Sequence, residues 1–332
     1  MTTDEKNMMR AIELARLGEG MTRPNPPVGA VLVLDGKVVA EGWHKKAGGP
    51  HAEVDCLQSA IGNLKSAILY LTLEPCSSHG RTPPCTDLIL EKGIGRVVVA
   101  VKDLNPKHAG RGLEILRAGG VEVVSGICEK EGRELIAPFE KFITTGMPYV
   151  TLKLASTLDG KIADSTGNSK WITGVAARER VQEMRRRADA IMVGSATIIA
   201  DDPSLLPRPS NGRKPWRVVV GKGIPTNARV LTDEAADQTL VRSGSLADIL
   251  RELASHDVMH VLCEGGGKLV AGLVEARLVD EFAFFIAPKL MGADGIPNFA
   301  KTDGLMADMQ NLKFLSVETL GDDLLIKAKL EE

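Results

Sequence analysis

Apolar and polar residues along the first half of the chain repeat with two different periods. A helical, amphipathic spacing over 5–17 gives way to strand-like runs over 28–34 and 37–42, and Asp35-Gly36 between them marks a hairpin turn. Further on, the pattern predicts a helix over 51–60, a strand over 68–73, a cysteine-bearing loop, a helix over 86–91 and an apolar strand over 96–101. Another helix and a short strand over 121–124 follow. Helices and strands alternating in this way pack as helices on both faces of a mixed sheet.

A helix ending near Phe142 runs into the breakers Thr144-Thr145-Gly146-Met147-Pro148, and a second series opens at Tyr149. Strands are expected over 149–154, 190–193, 216–220, 258–263, 280–286 and 323–329, with helices over 175–187, 246–254 and 267–275. The reading is therefore of two α/β domains, 1–146 and 147–332. A length of 332 residues, about twice that of a common single domain, agrees with it.

Charge and composition narrow the partners. The 41 basic and 43 acidic side chains nearly cancel, so no overall field draws the protein to nucleic acid or to anionic membranes. Aromatic content of 4% offers no rich stacking platform for bases. No run approaches the roughly 20 apolar residues of a membrane span. Five scattered cysteines and a polar start without an apolar signal core suit a reducing cytoplasm.

The chemistry gathers around four residues. His51, Cys76 and Cys85 are the donor types zinc prefers, and three protein ligands leave a fourth position for a water whose pKa the metal lowers toward ~7. Glu53, two residues after the histidine, is the expected acid and base. His51 opens one predicted helix and Cys85 lies in the first turn of another, where a helix N-terminus stabilises a thiolate. Taken singly, these residues also suit a helix cap and two small buried thiols, whereas His-x-Glu followed by Pro-Cys and a second cysteine is the deaminase signature. In the second half, the turn Glu264-Gly265-Gly266-Gly267 joins a strand to a helix with bare amides that suit a pyrophosphate, although it is not the Rossmann fingerprint.

Eight residues separate Cys76 from Cys85, where the general deaminase pattern has two. The run from Glu74 to Cys85, with Thr22-Arg23-Pro24-Asn25-Pro26-Pro27-Val28-Gly29 and Gly42-Trp43-His44, resembles the bifunctional deaminase/reductase family of riboflavin biosynthesis. Later stretches resemble it in the same order: Lys153 to Lys161, Ser169-Lys170-Trp171-Ile172-Thr173, Gly194-Ser195-Ala196-Thr197, Ala200-Asp201-Asp202-Pro203, the glycine turn and Ile286-Ala287-Pro288-Lys289-Leu290.

The resemblance implies a cytidine-deaminase-like three-layer α/β/α domain followed by a dihydrofolate-reductase-like α/β domain. It implies zinc-dependent hydrolytic deamination of 2,5-diamino-6-(5-phosphoribosylamino)pyrimidin-4-one, then NADPH-dependent reduction of the ribosyl group to ribityl. One zinc is expected per chain, together with NADPH, in a homodimer or homotetramer. Arg81, between the two cysteines, is the candidate for the substrate phosphate, with Asn25, His44 and Asn105 as further contacts. In the reductase, Ser156, Trp171, Thr197, Asp201, Gly266 and Gly267 match cofactor contacts. Lys153, Ser169, Arg185, Leu205, Arg208 and Glu264 match substrate contacts. Arg185 also suits a solvated helix face, since it opens Arg185-Arg186-Arg187, and Trp171 also suits a core.

Two departures stand out. Where the family commonly has histidine after the Cys-Ser pair, this chain has Ser78 and then His79. Where relatives often have Asp-Ser after the strand at 216–220, it has Gly221-Lys222, and Lys222 is a candidate for a cofactor phosphate. A different reading of the same motifs is a zinc deaminase of nucleosides or nucleic-acid bases with a noncatalytic second domain. A third is a noncatalytic scaffold with a structural zinc, which Glu53 and the open ligand position disfavour.

Overall fold

The amphipathic spacing near the start folds as helix α1 (Thr3–Arg16), opened by a capping box in which Thr2 Oγ1 accepts from the Glu5 N–H and the Glu5 carboxylate accepts from the Thr2 N–H. The structure is a computed structural model that describes residues 1–78, 83–105, 109–210, 212–298 and 309–331. Its chain divides into two compact units, Met1–Gly146 and Met147–Glu332.

In the first unit, β1 (Gly29–Leu34) and β2 (Lys37–Trp43) form the expected hairpin, with Asp35 and Gly36 both left-handed at φ 49° and 75°. Then come α2 (Ala52–Leu57), β3 (Ile68–Leu73), α3 (Cys85–Glu91), β4 (Arg96–Val101), α4 (Arg111–Ala118), β5 (Glu122–Ser125) and α5 (Glu129–Thr145). The sheet order is β2-β1-β3-β4-β5, parallel from β3 to β5 and antiparallel elsewhere. Period-two alternation sorts the side chains onto two faces. Ala30, Leu32, Leu69, Leu71, Val97 and Val99 pack under α2, α3 and α4, while Val31, Val33, Tyr70, Val98 and Ala100 pack under α1 and α5. This is the three-layer α/β/α arrangement.

The second unit runs β6 (Tyr149–Thr157), β7 (Lys161–Ala163), α6 (Val175–Arg187), β8 (Ala190–Gly194), α7 (Ser195–Asp201), β9 (Trp216–Val220), α8 (Arg229–Thr232) and β10 (Thr239–Arg242). It continues through α9 (Leu246–Ser255), β11 (His260–Cys263), α10 (Gly267–Glu275), β12 (Glu281–Ala287), β13 (Ile296–Pro297), β14 (Leu312–Leu320) and β15 (Asp323–Leu330). An eight-stranded sheet has the order β10-β9-β8-β11-β6-β12-β15-β14, parallel up to β12 and antiparallel beyond it. Ile249, Leu253, Val270 and Leu273 of α9 and α10 cover one face. Ala177, Val181, Ile198 and Val230 of α6, α7 and α8 cover the other.

Helix α5 runs through Thr144 and Thr145 to its Gly146 cap rather than ending near Phe142, and further details differ from expectation. Helix α2 stops at Leu57 rather than reaching 60, because Ser59 Oγ donates to the Cys56 carbonyl and the chain turns away. The short elements β7, α7, α8, β10 and β13, and the long edge strand β14, were not anticipated from the pattern. Both units present their chemistry at the carboxyl ends of parallel strands, where open α/β sheets bind ligands.

Candidate active sites

The loop after β2 delivers His51 as the N-cap of α2, in extended conformation and with its ring free of any capping bond. Cys76 follows the carboxyl end of β3, and Cys85 is the first residue of α3. The ligand atoms of all three lie within 4.8 Å of one another. His51 Nδ1 is 3.6 Å from Cys76 Sγ and 3.3 Å from Cys85 Sγ. Tetrahedral zinc with N and S ligands at ~2.1 and ~2.3 Å sets its donors roughly 3.6 Å apart, so the residues present fit the ion. The Cys85 N–H donates to Cys76 Sγ at 3.3 Å and so sets the fixed partial positive charge of an amide hydrogen beside that sulfur. Hydrogen bonding from the Cys85 thiol, against the cost of burial, and from His51 holds Cys76 at about 4, and the same contact pushes Cys85 up. Cys76 and Cys85 would both hold a dication as thiolates, which would end this competition.

Glu53, in the first turn of α2, is buried, and its Oε2 has no hydrogen-bond partner among the described residues. Burial, followed by the charge on Cys76, lifts its carboxyl above the ordinary value. A carboxyl so placed takes up and returns a proton within a pocket of about 160 Å³. That pocket brings Asn25, His44 and Asn105 together with His51, Glu53 and Cys76. His44 Nδ1 donates to the Pro50 carbonyl at 2.8 Å, which leaves Nε2 to accept from Asn25 Nδ2 at 3.4 Å. Burial lowers the His44 pKa and keeps this ring neutral. Ser78 is exposed and does not line the pocket. Arg81 and His79 fall outside the described residues. Sequence reading missed Val28, Glu74, Asp103 and Phe139 on its walls. The available signal was an acid directly after each of two apolar strands, or nearly so, at Glu74 and Asp103.

A larger cleft of about 440 Å³ opens in the second unit. Lys153, Ser169, Trp171, Arg185, Thr197, Asp201, Leu205, Arg208, Glu264 and Gly266 all line it. Ser156 is buried in β6 and Gly267 opens α10; neither is on the lining. Arg185 makes a two-pronged ion pair with Glu264, Nε to Oε1 at 2.6 Å and the second nitrogen to Oε2 at 3.0 Å. It is therefore not a solvated helix residue. Burial works against the Glu264 charge, but Arg185 and then Lys153 outweigh it and keep the carboxyl below its ordinary range. Lys153 is itself half-buried, and desolvation lowers its pKa despite the attraction of Glu264. Trp171 is 65% exposed, so it is no core residue, and the Arg178 guanidinium lies 4.7 Å from its ring centre. Lys289 Nζ donates to the Trp171 and Ile172 carbonyls at 3.2 and 2.6 Å, and Lys170 pairs with Asp201 at 3.0 Å. Lys222 is exposed beyond the lining.

Comparison with known proteins covers both units. Residues 148–326 match the RibD C-terminal domain, and residues 1–101 match the cytidine and deoxycytidylate deaminase zinc-binding region. The riboflavin biosynthesis protein RibD of Aquifex aeolicus (strain VF5) is 43% identical over 97% of each chain. That of Escherichia coli (strain K12) is 38% identical over 97% of this chain and 98% of its own. Acinetobacter baumannii RibD, form 1, aligns with a TM-score of 0.90 at 37% identity, covering 99% of both chains. The diaminohydroxyphosphoribosylaminopyrimidine deaminase/5-amino-6-(5-phosphoribosylamino)uracil reductase of Thermotoga maritima also aligns at 0.90, with 39% identity and 99% coverage of both. Similarity that spans both units favours the bifunctional reading over a deaminase with a noncatalytic second domain. The chain belongs to the RibD family, the bifunctional deaminase/reductases of riboflavin biosynthesis.

Proposed function

We propose that the first unit hydrolyses an exocyclic amine from 2,5-diamino-6-(5-phosphoribosylamino)pyrimidin-4-one, and that the second reduces the ribosyl group of the resulting 5-amino-6-(5-phosphoribosylamino)uracil to ribityl. One zinc per chain is held by His51, Cys76 and Cys85. When bound, it supplies an acidified water for attack on the amine-bearing ring carbon. Glu53 accepts the proton that this water gives up, passes it to the ring nitrogen and then helps protonate the departing ammonia. His44, with its Nε2 as acceptor, and the amides of Asn25 and Asn105 orient the pyrimidine against Glu53. Arg81 takes the substrate phosphate.

The second unit uses NADPH, whose reduced nicotinamide supplies the hydride when bound. Ser156, Trp171, Thr197, Asp201 and the Gly266-Gly267 turn hold the cofactor, and Lys222 is read as a contact to one of its phosphates. Ser169, Arg185, Leu205, Arg208 and Glu264 hold the substrate, its ribose ring opened so that C1 is an imine carbon still bonded to the pyrimidine's amino nitrogen. Lys153 donates the proton that balances the hydride delivered to C1. Burial suits it to the role by making its ammonium readier to lose a proton. We read the working protein as a cytoplasmic homodimer or homotetramer.

The observation that carries this reading is the meeting of His51, Cys76 and Cys85 beside the buried Glu53 carboxyl, whose Oε2 has no partner among the described residues. Its test is incubation of pure protein with the diaminopyrimidine ribosyl phosphate, following ammonia and the nicotinamide absorbance. One ammonia per substrate without NADPH, and one NADPH oxidised per ammonia when it is added, is the expected result. Ammonia release with no NADPH oxidation removes the second assignment, and no ammonia removes the first.

A further inference from the structure

Glu74 is the last residue before the Pro75-Cys76 ligand loop, buried to 4% exposure. Its main chain continues the sheet, with the Glu74 N–H donating to the Val101 carbonyl at 2.9 Å. Its carboxylate turns away and collects three backbone donors from a distant part of the chain. Oε2 accepts from the Asp103 N–H at 3.2 Å and the Gly110 N–H at 3.0 Å, and Oε1 accepts from the Gly112 N–H at 2.9 Å. Gly110 is the N-cap of α4 and Gly112 lies in its first turn, so one carboxylate caps that helix and also clamps the start of the loop before it. From there the order passes on: Asp103 Oδ1 accepts from the Asn105 N–H at 2.8 Å, and Asn105 lines the deaminase pocket. The approach is tight, since a Cβ on Gly112 would fall 2.3 Å from the Pro75 carbonyl oxygen.

We propose that Glu74 is a positioning residue of the deaminase: by gathering the Asp103, Gly110 and Gly112 amides it fixes Asp103, and through Asp103 it holds Asn105 toward the pyrimidine. The inference rests on the deaminase reading given above. The three-donor arrangement needs an acceptor at both oxygens. In Glu74→Gln the amide group replaces either Oε1, opposing the Gly112 N–H, or Oε2, opposing the Asp103 and Gly110 N–H groups, so neither flip satisfies all three donors. Glu74 then acts on substrate binding through Asn105 and leaves the His51, Cys76, Cys85 and Glu53 chemistry alone.

The test uses the zinc-loaded full chain and measures ammonia release from the diaminopyrimidine ribosyl phosphate. Wild type must turn this substrate over; its failure to do so counts against the deaminase reading and not against Glu74. In Glu74→Gln, KM rises about tenfold, the change expected for ~1.4 kcal/mol, while kcat stays within about threefold and zinc per chain is unchanged. An unchanged KM, a larger fall in kcat or a loss of zinc overturns the proposal. Should the variant not fold, hydrogen exchange on the wild-type enzyme decides. Amides of Asp103, Gly110 and Gly112 that share one opening free energy, and slow together when substrate is bound, support the clamp; three unrelated exchange rates overturn it.

Discussion

Glu53 separates the first reaction from everything else the chain does. Glu53→Gln keeps the size of a buried side chain whose Oε2 has no partner to lose among the described residues, so it is expected to lower deaminase kcat by about 10²–10⁴ without changing zinc content. In the second unit, Arg185→Met strips the buried Glu264 carboxylate of its two-pronged partner and costs about 3–5 kcal/mol, read from the urea midpoint. The pH dependence follows in sign. The folded Glu264 carboxyl is held below its ordinary 4.5, so the stability it contributes is full above that value and is lost as pH falls through the folded one. Midpoints for wild type and Glu264→Gln therefore converge below about pH 4.5 and separate above it; midpoints that stay parallel contradict this. Arg185 also shows how far single residues are legible. The Arg185-Arg186-Arg187 run suggests a wet helix face, yet Ala177, Val181 and Arg185 recur every four residues, and that stripe is the one α6 turns inward. The role of Glu74 was not legible, because its three donors come from 29 to 38 residues away.

At the level of elements, the inner strands were readable because burial on both faces makes them mostly apolar runs: β3 over Ile68–Leu73, β4 over Arg96–Val101 and β9 over Trp216–Val220, broken only by Thr72, Arg96 and the buried Arg217. The edges were not. In β14 a bulge between Phe314 and Ser316 breaks the period-two pattern, and most of its side chains face solvent. In β10 only four residues pair, all half-buried. The segment around Trp171 has no regular structure to hold it, and it relies on Lys289 donating to two of its carbonyls. Lys289→Met is expected to raise the KM for NADPH several-fold while leaving ammonia release unchanged. An unaltered KM would show that this segment is held by other means.

The whole molecule places two chemistries in two separate cores, each with a site at the carboxyl ends of its parallel strands. Zinc removal should therefore be selective: a strong chelator is expected to abolish ammonia release and leave NADPH oxidation on the deaminated intermediate intact, with both activities followed in one sample. The most direct test of two sites working in series is the Glu53→Gln chain, given each substrate in turn with NADPH. With 5-amino-6-(5-phosphoribosylamino)uracil it is expected to oxidise NADPH at the wild-type rate, and with the diaminopyrimidine ribosyl phosphate it is expected to oxidise almost none. Oxidation at equal rates from both, or from neither, would contradict the account.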